Sequence, residues 1–390
     1  MPDVVIIGGG QAGLQAAASL RQGGFAGTVK LICQEHVAPY MRPPLSKSFI
    51  KDPAAADLSF RSIEFFMENN IDLRLGDAAI SIDLPARRIR QASGAKAHYD
   101  ALILATGARP RLLDTGGQTF RNVLALRSVD DARAIRELLP SVQCISVIGG
   151  GFIGLEFASV ASRLGKQVTV IEAADRLMAR ALSPWMSEWF LKLHRSNGVE
   201  VRLNSQVKGF LDAGAAVTAV DVGDDAPIPT ELVIVGIGVL PNAELAVEAG
   251  LATDNGIVVD NTLVTSDPSV FAIGDCARFP SAFFGGMQRL ESVQNAVDQA
   301  KHVASSIISD RQTGFATVPW FWTEQFEVKL QMAGLADGFD DLKLVGDLEA
   351  GSFSVEYLRD GRLVGVDSVN DTRSHLAARK RLMERPASSV

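Results

Sequence analysis

The chain has 390 residues, of which 47% are hydrophobic and 21% charged, and its formal net charge is −7 at pH 7. This length suggests two or three domains, and the apolar content excludes an intrinsically disordered chain. The acidic balance argues against nucleic-acid binding, and the longest apolar run, residues 232–240, is far shorter than the ~20 residues of a membrane span.

The N-terminal segment opens with a strand and a glycine loop. An acidic residue at position 3 and a glycine run from position 8 are not the pattern of a secretory signal, so we expect a cytoplasmic protein with no membrane partner. A β-branched strand at residues 4–7 leads into the glycine loop at 8–13 and then into an Ala/Leu-rich helix that ends near Gly23. A second β-branched strand follows at residues 29–32.

The same order of elements returns later in the chain. A strand at residues 145–148 leads into a glycine loop at 149–154, a helix at 155–164 and a strand at 168–171. The two loops begin at residues 8 and 149, so they are 141 residues apart. This internal repeat predicts two nucleotide-binding domains of similar build.

The rest of the chain adds strands to these two units and then changes in character. Buried-type strands are predicted at residues 231–238 and 270–273, the second leading into Gly274 and Asp275. From about Pro319 an aromatic cluster, short alternating segments and a helix at 372–383 indicate a separate domain. The sequence therefore predicts an α/β fold with two Rossmann-like dinucleotide-binding domains and a C-terminal α+β domain.

Both glycine loops have the context that a dinucleotide site requires, since each follows a strand and opens a helix. The first glycine permits the tight turn, the second lets the backbone approach the pyrophosphate, and the third lets the helix pack on the strand. Glu35 lies 22 residues past Gly13, and Glu172 lies 18 residues past Gly154, close to the ~20 expected for an acid that binds ribose. The predicted loop glycines are Gly8, Gly10, Gly13, Gly149, Gly151 and Gly154.

Two sites suggest one tightly held dinucleotide and one that exchanges. The N-terminal position of the first loop and the Gly274-Asp275 strand end point to FAD there, with Asp275 accepting hydrogen bonds from the ribityl chain. The second site then takes the nicotinamide donor, and Gly238 at a neighbouring strand end belongs to it. Glu172 would repel a 2′-phosphate, which favours NADH over NADPH, whereas Arg176 and Arg180 nearby could still hold a phosphate.

The FAD-binding domain has to be discontinuous, because Gly274-Asp275 and the helix that follows must return to the first sheet. We expect residues 1–108 and 237–315 to form the FAD-binding domain and residues 109–236 the NAD-binding domain. We expect residues 316–390 to form the C-terminal α+β domain.

Several motifs together resemble one known family across nearly the whole chain. The chain is similar to the FAD- and NADH-dependent ferredoxin reductases of cytochrome P450 and Rieske oxygenase systems, which are glutathione-reductase-like flavoproteins. The matching segments are 39–47 (PYMRPPLSK), 105–110 (ATGARP), 149–156 (GGGFIGLE), 274–277 (GDCA), 289–296 (RLESVQNA) and 319–322 (PWFW).

The resemblance implies roles for particular residues around the flavin. Lys47 is expected near flavin N5 and paired with Glu156 of the second glycine motif, and these two are the predicted catalytic residues. Val293 opens a helix that should donate to the pyrimidine end of the flavin, where negative charge gathers on reduction. The other residues placed at the FAD by similarity are Arg42, Pro43, Thr106, Gly107, Arg109 and Trp322.

Alternatives to these roles stay open from the sequence. The Lys47–Glu156 pair could be a surface pair across the domain interface, and the aromatic residues 320–322 could all be core residues. Met41 stands where the resemblance leads us to expect an acidic or polar residue, and the Thr323-Glu324 pair looks like a variant of the usual Ser-Asp.

The resemblance implies an NADH-dependent reductase that passes electrons through FAD to a [2Fe–2S] ferredoxin, which feeds an oxygenase such as a cytochrome P450. A disulfide reductase or NADH oxidase of the same fold would need a redox cysteine near the flavin. Cys33 and Cys144 are predicted packing residues, and the chain has no CxxC pair and no predicted metal cluster. A flavin-binding NADH redox sensor or interaction protein is the alternative from another class.

An acidic ferredoxin would have to dock on a local basic patch of this acidic chain. The candidates are Arg289, Lys301, Arg311, Arg379, Lys380 and Arg381. The last three also fit the final turns of a helix, where cations complement the dipole.

Overall fold

The computed structural model describes residues 2–54, 56–117, 119–311 and 313–384. The predicted domain ranges also include residues 1, 55, 118, 312 and 385–390, which lie outside the described residues. Within the described ranges, none of the helices combines the length and the hydrophobicity that crossing a bilayer requires.

The first unit contains the predicted strand, glycine loop, helix and strand. Its strands are β1 (Asp3–Ile7), β2 (Thr28–Ile32), β3 (Ile71–Arg74), β4 (Ala79–Asp83), β5 (Arg88–Gln91), β6 (Lys96–His98), β7 (Ala101–Leu104) and β8 (Ala108–Pro110). Its helices are α1 (Gln11–Gln22), α2 (Ser48–Lys51) and α3 (Ile63–Glu68). β1 pairs in parallel with β2 and with β7, and β4, β5 and β6 form a separate antiparallel sheet. β1 and β7 are almost continuously apolar because strands in the middle of a parallel sheet are covered on both faces.

The second unit repeats this architecture. Its strands are β9 (Val123–Ala125), β10 (Cys144–Ile148), β11 (Gln167–Ile171), β12 (Glu200–Arg202), β13 (Gly209–Asp212), β14 (Val217–Asp221), β15 (Ile228–Pro229) and β16 (Leu232–Val235). Its helices are α4 (Val129–Leu138), α5 (Phe152–Arg163) and α6 (Pro184–Ser196). The parallel sheet has the order β12-β11-β10-β16-β9, and β13–β15 form an antiparallel sheet beside it. α5 begins at Phe152 rather than at the predicted Leu155, because Gly151 already serves as its N-cap.

The chain then returns to the first unit. This segment contains β17 (Val239–Pro241), α7 (Glu244–Glu248), β18 (Ile257–Val258), β19 (Val270–Ala272), β20 (Ala277–Pro280), β21 (Met287–Gln288) and α8 (Val293–Ser309). β19 pairs in parallel with β7, so the first sheet has the order β19-β7-β1-β2-β3, and α8 packs against α1. The sheet therefore combines distant segments of the chain, as a discontinuous domain requires, while the exact domain boundaries stay a prediction.

The C-terminal domain is an antiparallel sheet covered by a helix. Its elements are β22 (Trp320–Gln325), β23 (Val328–Gly334), β24 (Asp341–Asp347), β25 (Ser352–Arg359), β26 (Arg362–Val369) and α9 (Thr372–Met383). The strands have the order β22-β23-β26-β25-β24, and α9 packs on β23 and β26. With this domain in place, the predicted fold class is confirmed.

One hydrophobic core joins the second unit to the C-terminal domain. Leu155 and Phe157 of α5 share this core with Phe353 and Val355 of β25. Leu45, from the segment between β2 and α2, is buried in the same core. The packing therefore fixes the segment around Lys47 against both α5 and the C-terminal sheet.

Candidate active site

A cleft of about 1160 Å³ lies where the two units and the C-terminal domain meet. It is lined by residues from the first glycine loop, from the segment before α2, from α5, from the start of α8 and from β22. Most of the predicted FAD residues are among its walls: Gly8, Gly10, Glu35, Arg42, Pro43, Lys47, Thr106, Gly107, Arg109, Asp275, Val293 and Trp322. The fold thus brings together residues that are more than three hundred positions apart in the sequence, from Gly8 to Trp322.

The first glycine loop is built as the motif predicts. Gly8 has a φ of +113°, and a Cβ there would overlap the backbone carbonyl of Ala105, which directly follows β7. Gly13 does not line the cleft, because it lies in α1, where a Cβ would overlap the carbonyl oxygen of Gly8. At Gly10 a Cβ would meet no atom within 4 Å, so this position leaves space for a ligand. The loop is therefore shaped for the close approach of a pyrophosphate at the start of α1.

Glu35 follows β2 at one end of the cleft. Its carboxylate accepts hydrogen bonds of 2.6 Å from the Tyr40 hydroxyl and from Arg42. Arg42 also donates to the carbonyl oxygen of Arg127, and the backbone N–H of Val129 donates to the Tyr40 hydroxyl. Burial raises the pKa of Tyr40 to about 12. These contacts connect Glu35, the predicted ribose-binding acid, to the segment that carries Lys47 and to the start of α4.

Arg127 is a cleft residue that the sequence did not identify. It precedes α4 in the second unit, and its guanidinium lies 3.0 Å from the carboxylate of Asp275 in the first unit. Both residues line the cleft, so a cation and an anion from different units stand side by side at the predicted ribityl position. No spacing rule connects two residues 148 positions apart, which is why Arg127 was missed.

The two crossings between the units are tied together beside the cleft. β8 pairs with β17 in an antiparallel ladder, and the Thr106 hydroxyl donates to the carbonyl oxygen of Asn242 at 2.6 Å. Arg109 forms an ion pair of 2.7 Å with Glu244 and donates to the side chain of Asn242. Thr106 and Arg109 therefore line the cleft where the chain passes from one unit to the other.

The N-terminus of α8 faces the cleft. Ser292 caps this helix by accepting a hydrogen bond from the N–H of Asn295, and Ser292 and Val293 both line the cleft. The helix is 17 residues long, and its free N–H groups and dipole favour negative charge at this end. This is the property expected at the pyrimidine end of a flavin.

Lys47 and Glu156 form a buried ion pair in the wall of the cleft. Their side chains are only 17% and 6% exposed, and Lys47 Nζ lies 2.7 Å from Glu156 Oε2. Ser46 donates to the same carboxylate oxygen at 2.6 Å, and Thr323 donates to Oε1 at 2.7 Å. Desolvation opposes a buried pair, and these additional hydrogen bonds offset that cost. The pair is therefore not a surface contact, and Thr323 of the variant Thr-Glu motif takes part in it.

Aromatic side chains from α5 and β22 close one side of the cleft. Phe152, Phe321 and Trp322 line it, and the rings of Phe152 and Phe321 lie 4.7 Å apart. Trp320 packs instead against the core of the C-terminal domain, with its ring 5.6 Å from that of Trp322. Core packing therefore accounts for Trp320, while Trp322 remains available to a ligand.

The second glycine loop lies at the carboxyl ends of β10 and β11. Gly151 caps α5, and a Cβ at Gly154 would lie against the carbonyl oxygen of Gly149, repeating the packing of the first loop. Glu172 accepts hydrogen bonds from the N–H groups of Gly150 and Ala174 at 2.6 and 2.7 Å. The loop and the predicted ribose acid are thus locked together.

Two arginines flank this second loop in different ways. Arg176 donates to the carbonyl oxygen of Leu182 at 2.7 Å, so its guanidinium is held within the protein. Arg180 is exposed, and its guanidinium lies close to Gly238, which has a φ of +106°. Of the predicted NAD residues Gly149, Gly151, Gly154, Glu156, Glu172, Arg180 and Gly238, Glu156 also lines the cleft. It therefore belongs to both predicted sites.

All three cysteines lie in the described residues and are free thiols. Burial raises the pKa of Cys33 to about 12, with a smaller contribution from Glu35. Burial also raises the pKa of Cys276. Cys144, at the start of β10, is half-buried beside Gln167. A raised pKa disfavours the thiolate, so neither Cys33 nor Cys276 has the character of a redox nucleophile.

The basic residues proposed for docking separate into different environments. Arg289 was predicted wrongly, because its side chain is only 10% exposed, donates to the carbonyl oxygen of Asp275 and pairs with Glu291. Arg379 lies over the Trp320 ring at 4.9 Å, and burial lowers its pKa. Arg381 pairs with Glu356. The exposed cations that remain are Lys301, Arg311 and Lys380.

Comparison with known proteins places the chain in a family. Residues 2–300 match the pyridine nucleotide-disulphide oxidoreductase family, and residues 320–389 match the reductase C-terminal family. Rhodocoxin reductase of Rhodococcus erythropolis is 46% identical over 378 residues, which are 97% of this chain and 88% of that protein.

Solved structures agree with this assignment. The ferredoxin reductase of the CYP199A2 system from Rhodopseudomonas palustris has a TM-score of 0.94 and 42% identity, covering 97% of this chain and 94% of that one. The covalent complex of putidaredoxin reductase with putidaredoxin gives a TM-score of 0.94 and 38% identity, covering 99% and 94%. The resemblance to ferredoxin reductases is confirmed, and the chain belongs to the pyridine nucleotide-disulphide oxidoreductase family.

Proposed function

We propose that this protein is an NADH-dependent flavoprotein reductase that passes electrons through bound FAD to a [2Fe–2S] ferredoxin, which in turn feeds an oxygenase such as a cytochrome P450. The observation that carries the proposal is the buried Lys47–Glu156 pair in the wall of a cleft that is lined by the first glycine loop, by the start of α5 and by the C-terminal domain. The names of the relatives, reductases of ferredoxins and of putidaredoxin, support the same reaction.

The residues of the cleft fit FAD along its length. Gly10 leaves room for the pyrophosphate, and Glu35 offers carboxylate oxygens to the adenosine ribose. Asp275 lines the cleft and would accept hydrogen bonds from a ribityl chain, and the α8 N-terminus at Val293 would offer donors to a flavin ring. When bound, FAD supplies the chemistry of the reaction, because it accepts a hydride from NADH and gives up electrons one at a time.

The protein contributes position and electrostatics. Lys47 provides an ammonium group on the cleft wall, and Glu156 holds that group through the 2.7 Å contact. Trp322 and Phe321 limit the access of water to the cleft from the side of the C-terminal domain. No side chain is required as a general acid or base.

NADH is the proposed electron donor. Glu172 places a negative charge beside the second glycine loop, where it would repel the 2′-phosphate of NADPH. Arg176 is engaged with the carbonyl oxygen of Leu182, which leaves it poorly placed to neutralise that phosphate.

The proposed partner is a [2Fe–2S] ferredoxin with an acidic docking surface. The exposed cations Lys301, Arg311 and Lys380 belong to α8, to the segment after it and to α9. The proposed location is the cytoplasm, because free thiols such as Cys33 and Cys144 stay reduced in that compartment.

A disulfide reductase or NADH oxidase is disfavoured because Cys33, the one of the three cysteines that lines the cleft, is buried with a raised pKa. The test is steady-state oxidation of NADH by the purified holoprotein, with ferredoxins and cytochrome c as acceptors. The proposal expects rapid cytochrome c reduction that depends on a ferredoxin. NADH oxidation that no ferredoxin accelerates would favour the redox sensor instead.

A further inference from the structure

A chain of buried polar side chains extends the Lys47–Glu156 pair away from the cleft. Thr323, which donates to Glu156, is itself 3.3 Å from the amide nitrogen of Gln325 two residues further along β22. The carbonyl oxygen of the Gln325 side chain lies 2.8 Å from Nε2 of His194 on α6. Thr323, Gln325 and His194 are each fully inaccessible to solvent.

The charge of Glu156 sets the direction of every hydrogen bond in this chain. A carboxylate can only accept hydrogen bonds, so Thr323 donates its single hydroxyl hydrogen to Glu156. The Thr323 oxygen must then accept, and Gln325 therefore turns its NH2 group towards it. The Gln325 oxygen faces His194, which has to donate from Nε2.

This order of donors and acceptors determines which ring nitrogen of His194 carries the proton. Its proton is on Nε2, and Nδ1 is buried without a partner among the described residues. Burial lowers the pKa of His194 to about 4, so the ring stays neutral at ordinary pH. The dipoles of the imidazole, the carboxamide and the hydroxyl then all point their hydrogens towards Glu156. In a low-dielectric interior such aligned hydrogen bonds strengthen one another.

We propose that Gln325 and His194 are positioning residues, which hold the Glu156 carboxylate, and through it the Lys47 ammonium, in place at the cleft wall. They reach Glu156 from the C-terminal sheet and from α6, whereas Lys47 and Ser46 reach it from the first unit. The proposal rests on the proposed function for its effect on the flavin. The hydrogen-bond polarity itself does not depend on that function.

The first test compares matched substitutions in the holoprotein. Gln325→Met removes the donor and the acceptor at nearly constant volume, and Gln331→Met makes the same change at another buried glutamine of the C-terminal sheet, which contacts Thr372 instead. We expect Gln325→Met to slow flavin reduction by NADH roughly fivefold, the size of effect that one buried hydrogen bond carries. The flavin midpoint potential should also fall, because Lys47 is held less firmly. Gln331→Met should change neither quantity.

Two substitutions of His194 test whether its hydrogen-bond donor is needed for the flavin reduction rate and the flavin potential. His194→Leu should reproduce the loss seen with Gln325→Met, and His194→Gln, whose amide nitrogen can replace Nε2 as donor, should restore most of the rate and the potential. A Gln325→Met variant with the rate and potential of Gln331→Met would overturn the proposal, as would His194→Leu with those of the wild type.

A second measurement is independent of turnover. The chain has five histidines, so selective ¹⁵N-histidine labelling can resolve the His194 resonances in the wild-type holoprotein. We expect the neutral Nε2–H tautomer, and the Nδ1–H tautomer would overturn the proposed polarity even if the variants do not fold. If NADH fails to reduce the wild-type flavin, the proposed function fails, whereas this measurement still tests the chain.

Discussion

Asp367 provides a sharp test of the interface between the second unit and the C-terminal sheet. It lies on β26 and is only 2% exposed, and the Tyr357 hydroxyl donates to its carboxylate at 2.6 Å. Tyr357 also contacts Ser183, the N-cap of α6, at 2.9 Å. Burial raises the pKa of Asp367 from 3.8 to about 7, although the hydrogen bond from Tyr357 opposes this shift. Burial likewise raises the pKa of Tyr357.

The sign of the resulting pH dependence follows from these values. Between pH 3.8 and about 7 the folded protein retains a proton on Asp367 that the unfolded chain releases, so stability falls as pH rises. At ~1.36 kcal/mol per pH unit, a window of about three units corresponds to roughly 4 kcal/mol. Asp367→Asn keeps the shape of the side chain but cannot ionise, so this contribution disappears.

The assay is urea unfolding followed by tryptophan fluorescence at about pH 5.5 and about pH 7.5. Trp185 and Trp189 of α6 pack against Phe353 of β25, so their emission reports on this interface. Relative to Asp367→Asn, the wild type should lose on the order of 2 kcal/mol of unfolding free energy between the two pH values. Asp341→Asn, at an exposed position of the same sheet, should keep the wild-type pH dependence. Parallel pH dependences for wild type and Asp367→Asn would refute the reasoning.

Four further substitutions test the site itself. Gly13→Ala should lower the melting temperature of the apoprotein, because the added Cβ overlaps the carbonyl oxygen of Gly8. Gly10→Ala should leave that melting temperature unchanged and should instead lower the flavin-to-protein absorbance ratio. Equal effects of the two substitutions on both quantities would contradict the different roles of the two glycines. Glu156→Gln should lower the melting temperature of the holoprotein and slow flavin reduction by NADH, since breaking a buried ion pair costs about 3–5 kcal/mol. A wild-type melting temperature together with a wild-type reduction rate would show that the pair is not needed. Glu172→Ala should raise the ratio of kcat/KM for NADPH to kcat/KM for NADH about tenfold, because a like charge near the 2′-phosphate costs on the order of 1–2 kcal/mol. An unchanged ratio would show that Glu172 is not the source of the preference for NADH.

Local patterns predicted the glycine loops and the order of the elements well. At Gly8 a Cβ would meet the backbone of Ala105, far along the chain, whereas at Gly13 it would meet the carbonyl oxygen of Gly8, so the requirement for glycine at position 13 is set within one short segment. The predicted helix at residues 372–383 agrees with α9 for the same reason, since its pattern is local. The α5 start was placed three residues late because apolar periodicity alone does not show that Gly151 is the cap.

Contacts between domains account for what the sequence did not show. Arg127, Gln325 and His194 acquire their roles from partners on other elements, and nothing in their own neighbourhoods indicates this. Arg289 was taken for a surface cation because arginine is usually exposed, but here it is held by a carbonyl oxygen and a carboxylate. Roles that depend on tertiary contacts therefore required the structure.

The central claim is that NADH reduces a flavin in the cleft beside Lys47 and that a ferredoxin then takes the electrons. The most direct measurement is an anaerobic titration of the yellow holoprotein with NADH and separately with NADPH, followed by rapid mixing with a [2Fe–2S] ferredoxin. The proposed function predicts that NADH bleaches the flavin at lower concentration than NADPH does, and that the ferredoxin restores its absorbance within turnover time. A flavin that NADH does not bleach, or a bleached flavin that ferredoxins do not reoxidise, would contradict it.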